Sequence, residues 1–192
     1  MPRKYLVLQG DPPIKTHFLD DLKREIGENF KEYEFDYIGM RDEEIVLFYS
    51  WIDKTKTIAI ELFEDDHDRF CGIFAASNNA NTVEEIVGEL SGILDIFDID
   101  ELENALEKNP KLIAALILYY TKSTKDRIRK RIVAMLESND IETRACAARA
   151  MAVIPDPTYL RLAENIVSND NSEEVIDWAQ RAINGYHRRG IF

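Results

Sequence analysis

The sequence predicts an α+β fold, with a mainly antiparallel sheet and two helices over residues 1–97, followed by a short all-helical domain over residues 98–192. Short runs of strand-forming residues occur only in the first half, whereas the second half shows only apolar residues at helical spacing. The charge divides at the same place. Residues 1–97 hold 21 Asp/Glu against 10 Lys/Arg, and residues 98–192 hold 15 against 14.

The N-terminal half is predicted to run strand, helix, four strands and helix. Its last three strands are joined by short polar turns, a pattern typical of an antiparallel meander. Ile45–Ile52 is apolar on both faces and is expected to be covered on two sides, after a polar turn at Arg41–Glu44. Thr82, with Glu85 three residues later, fits a capping box at the start of the last helix. The predicted spans are Lys4–Gln9, Ile14–Phe30, Tyr33–Tyr37, Ile45–Ile52, Thr57–Phe63, Phe70–Ala75 and Thr82–Phe97.

The C-terminal half is predicted to contain six helices with short polar breaks, as in antiparallel helix stacks. The triplet Ser138–Asp140 recurs as Ser168–Asp170, and Ala147–Met151 recurs as Ala179–Ile183, so the pattern returns after 30 to 32 residues. Such a period with two helices per unit indicates an α-solenoid. The predicted spans are Glu101–Lys108, Pro110–Tyr120, Lys125–Glu137, Ile141–Val153, Thr158–Val167 and Glu173–Tyr186.

The stretch 138–170, SNDIETRACAARAMAVIPDPTYLRLAENIVSND, resembles the HEAT-like helical repeat, including the variant of the phycobilisome lyases. Pro155 replaces the usual Gly of the second turn, and Ile176 stands where the next copy would carry Arg. The resemblance extends over residues 123–187 and is weak over 101–122. It implies an α-solenoid, and such stacks are mostly interaction scaffolds with occasional enzymes among them. The residues that match the repeat helix are Arg144, Ala147, Ala148, Ala150 and Met151.

The second helices of the repeat, Ile141–Val153 and Glu173–Tyr186, are expected to line a concave surface that binds a partner. Two or three units form only a short groove, so residues 1–97 are expected to contribute to the same interface. The polar residues expected on this surface are Glu142, Arg144, Arg149, Glu173, Asp177 and Arg181.

Two other groups of charged residues are candidate contact sites. The first is an acidic turn around His67, which lacks the spaced ligands and the glycine of an EF-hand loop. It is expected to be a solvated hairpin turn, and as a binding site it favours a basic protein surface over a metal. The second lies in the run Lys122–Arg131, where three cations share one helix face. That face could contact nucleic-acid phosphates, dock on the chain's own acidic half or simply be solvated. The acidic residues are Glu64, Asp65, Asp66 and Asp68, and the basic ones are Arg127, Lys130 and Arg131.

Several classes of function are disfavoured by the sequence. No apolar run reaches the roughly 18 residues that span a bilayer, and no signal-peptide pattern opens the chain, so a cytoplasmic protein without membrane contact is expected. Cys71 and Cys146 lack metal-ligand spacing, and the histidines stand apart from any nucleophile motif. The sequence therefore assigns no metal, cofactor or catalytic residue.

The expected function is a non-catalytic protein-binding module, because an acidic surface favours a basic partner and the repeat resembles interaction scaffolds. A concrete form is an acidic neutralising protein of the toxin-immunity type, which inhibits a basic partner protein. One alternative, implied by the resemblance, is a HEAT-like lyase or chromophore-handling protein. The other is a nucleic-acid binder that uses the Lys122–Arg131 helix.

Overall fold

A computed structural model of the chain describes residues 1–9, 12–43, 46–154 and 156–190. It is α+β, with a five-stranded antiparallel sheet in the N-terminal half and, in the described residues, eight helices. The chain divides into two compact units, Met1–Leu102 and Glu103–Phe192, which we name the sheet unit and the helical unit. Five residues of predicted turns and of one predicted strand lie outside the described ranges. They are Gly10, Asp11, Glu44, Ile45 and Pro155.

The sheet has the strand order β1-β5-β4-β3-β2, and every neighbouring pair is antiparallel. The antiparallel arrangement of the consecutive strands is as predicted, and the first strand of the chain joins the far edge beside β5. The elements are β1 (Arg3–Leu8), α1 (Thr16–Asn29), β2 (Asp36–Glu43), β3 (Val46–Ile52), β4 (Ile58–Asp65), β5 (Phe70–Ser77) and α2 (Ala80–Ile93).

The core of the sheet unit lies between one face of the sheet and the two helices. Leu22 and Ile26 of α1 and Ile86 and Leu90 of α2 are each at most 2% exposed and belong to the same apolar cluster as Ile60 of β4. Burying each such side chain contributes about 1.5–3 kcal/mol to folding. The amphipathic spacing of both helices is therefore what attaches them to the sheet.

The strand that is buried along its whole length is β5, not β3. The prediction for Ile45–Ile52 is wrong for Val46–Tyr49, which are only half-buried. Both strands are second from an edge, but the neighbour of β3 at that edge, β2, is exposed along nearly its whole length, whereas β5 lies between the largely buried β4 and the buried end of β1. Gly72 of β5 permits a close contact on the face opposite the helices. A Cβ at this position would lie 2.4 Å from the ring Cζ of Phe63 and 3.1 Å from the carbonyl oxygen of Leu6.

Two boundaries of the sheet unit differ from the prediction. Strand β2 covers Asp36–Glu43, so it includes Arg41–Glu43, which the sequence assigned to a turn, because pairing with β3 continues to Glu43↔Val46. Helix α2 begins earlier than predicted, since Asn79 is its N-cap and accepts a hydrogen bond from the N–H of Asn81 at 3.0 Å. Thr82 therefore lies within the first turn of the helix and does not cap it.

In the helical unit the strongest packing is between α6 and α8, which lie side by side, while α5 packs on α6 and α7 on α8. Ala147 and Ala148 of α6 are fully buried, as close helix approach requires. The predicted helix Pro110–Tyr120 is divided into a 3₁₀ turn at Pro110–Leu112 and a short helix.

Among the described residues, no helix combines the length and apolar character that crossing a bilayer requires. The helices are α3 (Ile99–Ala105), which spans the boundary of the units, α4 (Ile113–Ile117), α5 (Lys125–Leu136), α6 (Ile141–Val153), α7 (Thr158–Asn169) and α8 (Glu173–Arg188).

Candidate functional site

The edge strand β2 carries the largest group of exposed apolar side chains in the sheet unit. Tyr37, Ile38 and Met40 are 37%, 60% and 60% exposed, and they are three of the six large apolar side chains exposed in the described part of the chain. In the described sheet β2 is the last strand and pairs only with β3. Its outer backbone groups therefore have no strand partner and can accept an added strand.

A β-bulge shapes this edge. The register with β3 shifts between Tyr37 and Gly39, so Ile38 is the extra residue of the strand. Gly39 has a φ of 123°, a conformation that side-chain-bearing residues rarely adopt. The bulge interrupts the edge and so limits unspecific edge-to-edge pairing, while it leaves Ile38 exposed.

The charges on β2 are mostly negative. Its cation, Arg41, places Nε 2.8 Å from Oε1 of Glu43, and its guanidinium lies 4.7 Å from the ring centroid of Phe48. Asp36 and Asp42 form no ion pair with any described residue. The sheet unit as a whole holds 24 Asp/Glu against 10 Lys/Arg, a net charge of −14. The edge therefore combines exposed apolar side chains with Asp36 and Asp42, which form no ion pair in the described part of the sheet unit.

The predicted acidic turn does not form one exposed patch. Glu64 and Asp68 are only 3% and 4% exposed, while Asp66 is exposed and Asp65 half-buried. Glu64 accepts hydrogen bonds from the Tyr49 hydroxyl at 2.6 Å and from the backbone N–H of Ile14 at 2.7 Å. Burial and the bond to Glu64 raise the pKa of Tyr49 far above its ordinary value. Glu64 thus holds the segment before α1 on the sheet.

The described residues include no group of three or more His, Cys, Asp or Glu side chains placed to hold a metal ion. A cavity of about 540 Å³ lies in the sheet unit, beside the end of β1, the start of α1 and the end of α2. Leu8 and Phe18 contribute to its apolar lining, and Lys15, His17 and Asp95 to its polar lining. Because its charged residues have both signs, the lining does not select a class of ligand.

On the predicted repeat surface, Arg144 is engaged within the chain. Its Nε donates to Asp170 Oδ2 at 2.9 Å, and its NH1 donates to the carbonyl oxygens of Ser138 and Asn139 at 2.9 and 3.2 Å. Both side chains of the ion pair are 12% exposed, and the Arg144 bond lowers the pKa of Asp170. Arg144 therefore ties the turn before α6 to the turn before α8, and this role explains why it is not available to a partner.

Three other predicted residues come together around Trp178, which the sequence reasoning did not select for this surface. The guanidinium carbons of Arg149 and Arg181 lie 5.4 and 4.8 Å from the centroid of the Trp178 ring. Arg181 also pairs with Asp177, with Nε and one terminal nitrogen each 2.8 Å from Oδ2. The available signal was the spacing of Trp178 and Arg181, which places them one helical turn apart.

The remaining two predicted residues lie toward the other end of the same helices. Glu142 stands in the first turn of α6, 3.9 Å from Lys111 Nζ. Glu173 is the first residue of α8, where a carboxylate interacts favourably with the helix dipole. The structure thus separates the predicted set into an acidic N-terminal end and an arginine-rich C-terminal part.

The basic helix α5 is largely neutralised within the helical unit. Arg127 forms a two-point ion pair with Glu103, with N···O distances of 2.8 and 2.7 Å. Arg131 donates to the carbonyl oxygen of Glu103 at 3.4 Å. Lys130 is exposed and forms no ion pair within the described ranges. Of the three predicted cations, two therefore hold α5 against the end of α3.

Asp156 is the centre of a polar network in the helical unit, although it is only 4% exposed. It accepts hydrogen bonds from the Tyr120 hydroxyl at 2.8 Å and from the N–H and hydroxyl of Thr158 at 3.0 and 2.8 Å, and it pairs with Lys125 Nζ at 3.0 Å. Burial alone would raise the pKa of Asp156, but these bonds outweigh it and hold the pKa well below its usual range. This network joins the segment after α4 to the starts of α5 and α7.

No protein-family model, curated protein or solved structure matches this chain. The function of the chain is therefore inferred from the contacts described above. Of these, the β2 edge and the Trp178 cluster expose side chains of the kinds that protein interfaces use.

Proposed function

We propose that this protein is a non-catalytic protein-binding module whose sheet unit binds a basic partner protein along the β2 edge. The observation that carries the proposal is the run of exposed Tyr37, Ile38 and Met40 between the acidic residues Asp36 and Asp42 on an edge strand. Ile38 and Met40 do not belong to the core cluster, which is built from β1, β3, β4, β5 and the two helices, while the Tyr37 ring lies 5.3 Å from that of the core residue Trp51.

The negative charge and the exposed apolar side chains would act at different stages of binding. A net charge of −14 on the sheet unit attracts a basic surface and raises the rate of encounter. The exposed apolar side chains then supply affinity, at about 25 cal/mol for each Å² that the partner covers. An extended segment of the partner could also pair with the open backbone of β2, which would set its direction.

In its concrete form, the module is a neutralising protein of the toxin-immunity type that covers a basic functional surface of its partner. The acidity of the sheet unit and the placement of the exposed apolar residues at its rim support this form. Inhibition needs only tight coverage of the partner's site, so it requires no catalytic group on the chain.

We further propose that the helical unit is a HEAT-like repeat that serves as a scaffold. The pairs α5–α6 and α7–α8 are each joined by a Ser-Asn-Asp turn, and α6 lies beside α8. The Arg144–Asp170 ion pair links the two turns. This arrangement supports a stack in which equivalent helices of successive repeats are neighbours.

The test is affinity capture from the native host with tagged chain, followed by quantification of the proteins retained. We expect one basic protein at a stoichiometry near one to one. The double variant Asp36→Lys/Asp42→Lys should lower its recovery about tenfold, because it removes the acidic groups of the edge. The double variant Ile38→Ser/Met40→Ser should lower it by a similar factor through lost apolar contact.

The matched control is Glu28→Lys/Glu89→Lys, which makes the same change in net charge at exposed helix positions of the sheet unit. We expect it to change recovery less than about threefold, since only long-range steering is affected. Equal loss in both charge variants would assign binding to overall acidity and remove the β2 edge from the proposal. A chain that retains no stoichiometric protein would contradict the binding function itself.

A further inference from the structure

The α6–α8 surface around Trp178 has a charge opposite to that of the sheet unit. The helical unit holds 12 Asp/Glu against 14 Lys/Arg, a net charge of +2. Four of these cations, all arginines, lie on the later turns of α6 and α8 or directly after α8. They are Arg149, Arg181, Arg188 and Arg189.

These arginines are held in place by contacts within the chain. Arg149 and Arg181 lie over the Trp178 ring, and Asp177 binds one side of Arg181. One terminal nitrogen of Arg189 donates to the carbonyl oxygen of Ala152 at 2.6 Å, and it passes so close to Gly185 that a Cβ there would lie 3.3 Å from it. Because a guanidinium has five N–H donors, Arg181 and Arg189 retain donors after these contacts. Side chains held in this way lose little further entropy when a partner binds.

An apolar contact point adjoins the arginines. Val153, one turn after Arg149 on α6, is 61% exposed, and its neighbour Ala152 carries the carbonyl that Arg189 binds. Trp178 is half-buried. Trp and Arg are the residue types most enriched among the energetically dominant positions of protein interfaces. The surface therefore offers oriented cations around a small apolar platform.

We infer that this surface, defined by Arg149, Val153, Trp178, Arg181 and Arg189, binds an acidic protein segment that carries an apolar side chain. Carboxylates of the segment pair with the remaining guanidinium donors of Arg181 and Arg189, and its apolar side chain covers Val153 and the edge of Trp178. The chain would then have two contact surfaces with partners of opposite charge, and this second one does not depend on the β2 edge.

The contacts favour a protein over a nucleic acid as the occupant. Base stacking needs an open aromatic face, whereas the Trp178 ring already contacts two guanidiniums. Glu142, Glu173 and Glu174 lie at the first turns of the same helices and would oppose the continuation of a phosphate backbone. A short acidic segment can end before it reaches them.

The experiment measures binding of a fluorescein-labelled synthetic peptide, Glu-Asp-Glu-Leu-Phe-Glu-Asp-Leu, to the full chain by fluorescence anisotropy. We expect saturable binding that becomes about tenfold weaker in Arg181→Glu and in Val153→Ser. The matched control is Arg161→Glu on α7, an exposed arginine with the same change in charge, which should weaken binding less than about threefold. Since Trp51 is 1% exposed, the change in tryptophan emission on binding should be lost in Trp178→Phe.

Five outcomes would overturn the inference, four of them in the binding measurements. The first two are that Arg161→Glu weakens binding as much as Arg181→Glu, and that a peptide with Lys in place of its acidic residues binds with the same affinity. The other two are that a single-stranded DNA oligonucleotide binds more tightly than the acidic peptide, and that the acidic peptide shows no saturable binding. A molecular mass that rises with protein concentration and falls in Arg181→Glu would assign the surface to a second copy of the chain and also overturn it. Asp36→Lys/Asp42→Lys should leave peptide binding unchanged, which separates this test from that of the β2 edge.

Discussion

The two units place their charged residues differently. In the sheet unit most ion pairs lie at the surface, such as Lys54–Glu34, with side chains 60% and 56% exposed. In the helical unit the pair Arg144–Asp170 is 12% exposed on both sides, and Asp156, which pairs with Lys125, is 4% exposed. Ion pairs therefore join elements in the helical unit, whereas the buried carboxylates Glu64 and Asp53 of the sheet unit are held by hydrogen bonds from hydroxyl and backbone N–H groups.

The physical reason lies in the backbone. Strands of a sheet are connected by hydrogen bonds between their main chains, so side-chain charges are not needed to set their arrangement. Helices satisfy their main-chain groups internally, and only side chains can join one helix or turn to the next. The comparison predicts that breaking an ion pair between elements costs more stability in the helical unit than breaking a surface ion pair of the sheet unit.

The largest expected effect is that of Asp156→Ala. The substitution removes the acceptor of several hydrogen bonds and leaves Tyr120 and Lys125 without their buried partner, which should lower the free energy of unfolding by about 3 kcal/mol. Chemical denaturation followed by circular dichroism measures the change. Asp126→Ala, at a site 78% exposed, is the control and should cost less than about 0.5 kcal/mol. Similar losses in the two variants would show that the buried network adds nothing to the contribution of Asp156.

The pH dependence of stability should also reveal the contribution of Asp156. The pKa of Asp156 is lowered in the folded chain, so its contribution to stability is complete above the ordinary aspartate pKa of 3.8 and is lost as the pH falls below it. The protection of backbone amides around α5 and α7 against hydrogen exchange, corrected for the intrinsic pH dependence of exchange, should fall between about pH 5 and pH 2. In Asp156→Asn this fall should be smaller, because the variant has no carboxylate to protonate. An unchanged acid profile in the variant would contradict the role of this carboxylate.

An intermediate effect is expected at Gly72, where the sheet unit depends on packing and not on charge. A methyl group there would overlap the Phe63 ring, so Gly72→Ala should destabilise the chain by about 1–3 kcal/mol. Gly88→Ala on α2 is the control, since nothing lies within 4 Å of its added Cβ, and it should be neutral or stabilising by up to about 1 kcal/mol. Thermal unfolding of both variants measures this, and equal melting temperatures would show that Phe63 moves without cost.

The smallest of these effects is expected at the link between the two turns. Arg144→Gln loses the ion pair with Asp170 but keeps part of the hydrogen bonding to the Ser138 turn, so a loss of about 1–2 kcal/mol is expected. Arg24→Gln, which breaks an exposed pair with Asp21, is the control in the sheet unit and should cost less than about 0.5 kcal/mol. If the sheet-unit variant were the less stable of the two, the proposed division of roles would be wrong.

Much of the fold was predictable because periodicity reports which face of an element is buried. The spans of α1, α7 and α8 follow apolar spacing, and the predicted and observed starts of α6 and α8 coincide. The strand after residue 33 was misplaced because alternation marks a candidate strand but not its pairing, and β2 continues as far as β3 offers a partner. Asn79 was missed as the N-cap because Thr82 and Glu85 fit the same local pattern.

The site was less predictable than the fold. Arg144, Arg149 and Arg181 are equally plausible surface residues in sequence, yet the first is 12% exposed and bound to Asp170, while the other two lie over Trp178. Glu64 belonged to an evidently acidic turn, but the end of β4 places it inside, against Tyr49. Each of these charged side chains meets a partner that lies 15 to 50 positions away in the sequence, and no local pattern encodes such a contact.

The sequence by itself determined the order of strands and helices along the chain and the separation of an acidic first half from a nearly neutral second half. It also determined the repeat of the Ser-Asn-Asp sequence. These follow from local periodicity and composition. Only the tertiary structure decided that β2 is an edge with Ile38 and Met40 exposed, and that Trp178 lies among arginines. Strand order and helix packing bring distant residues together, and exposure depends on those neighbours rather than on a residue's own type.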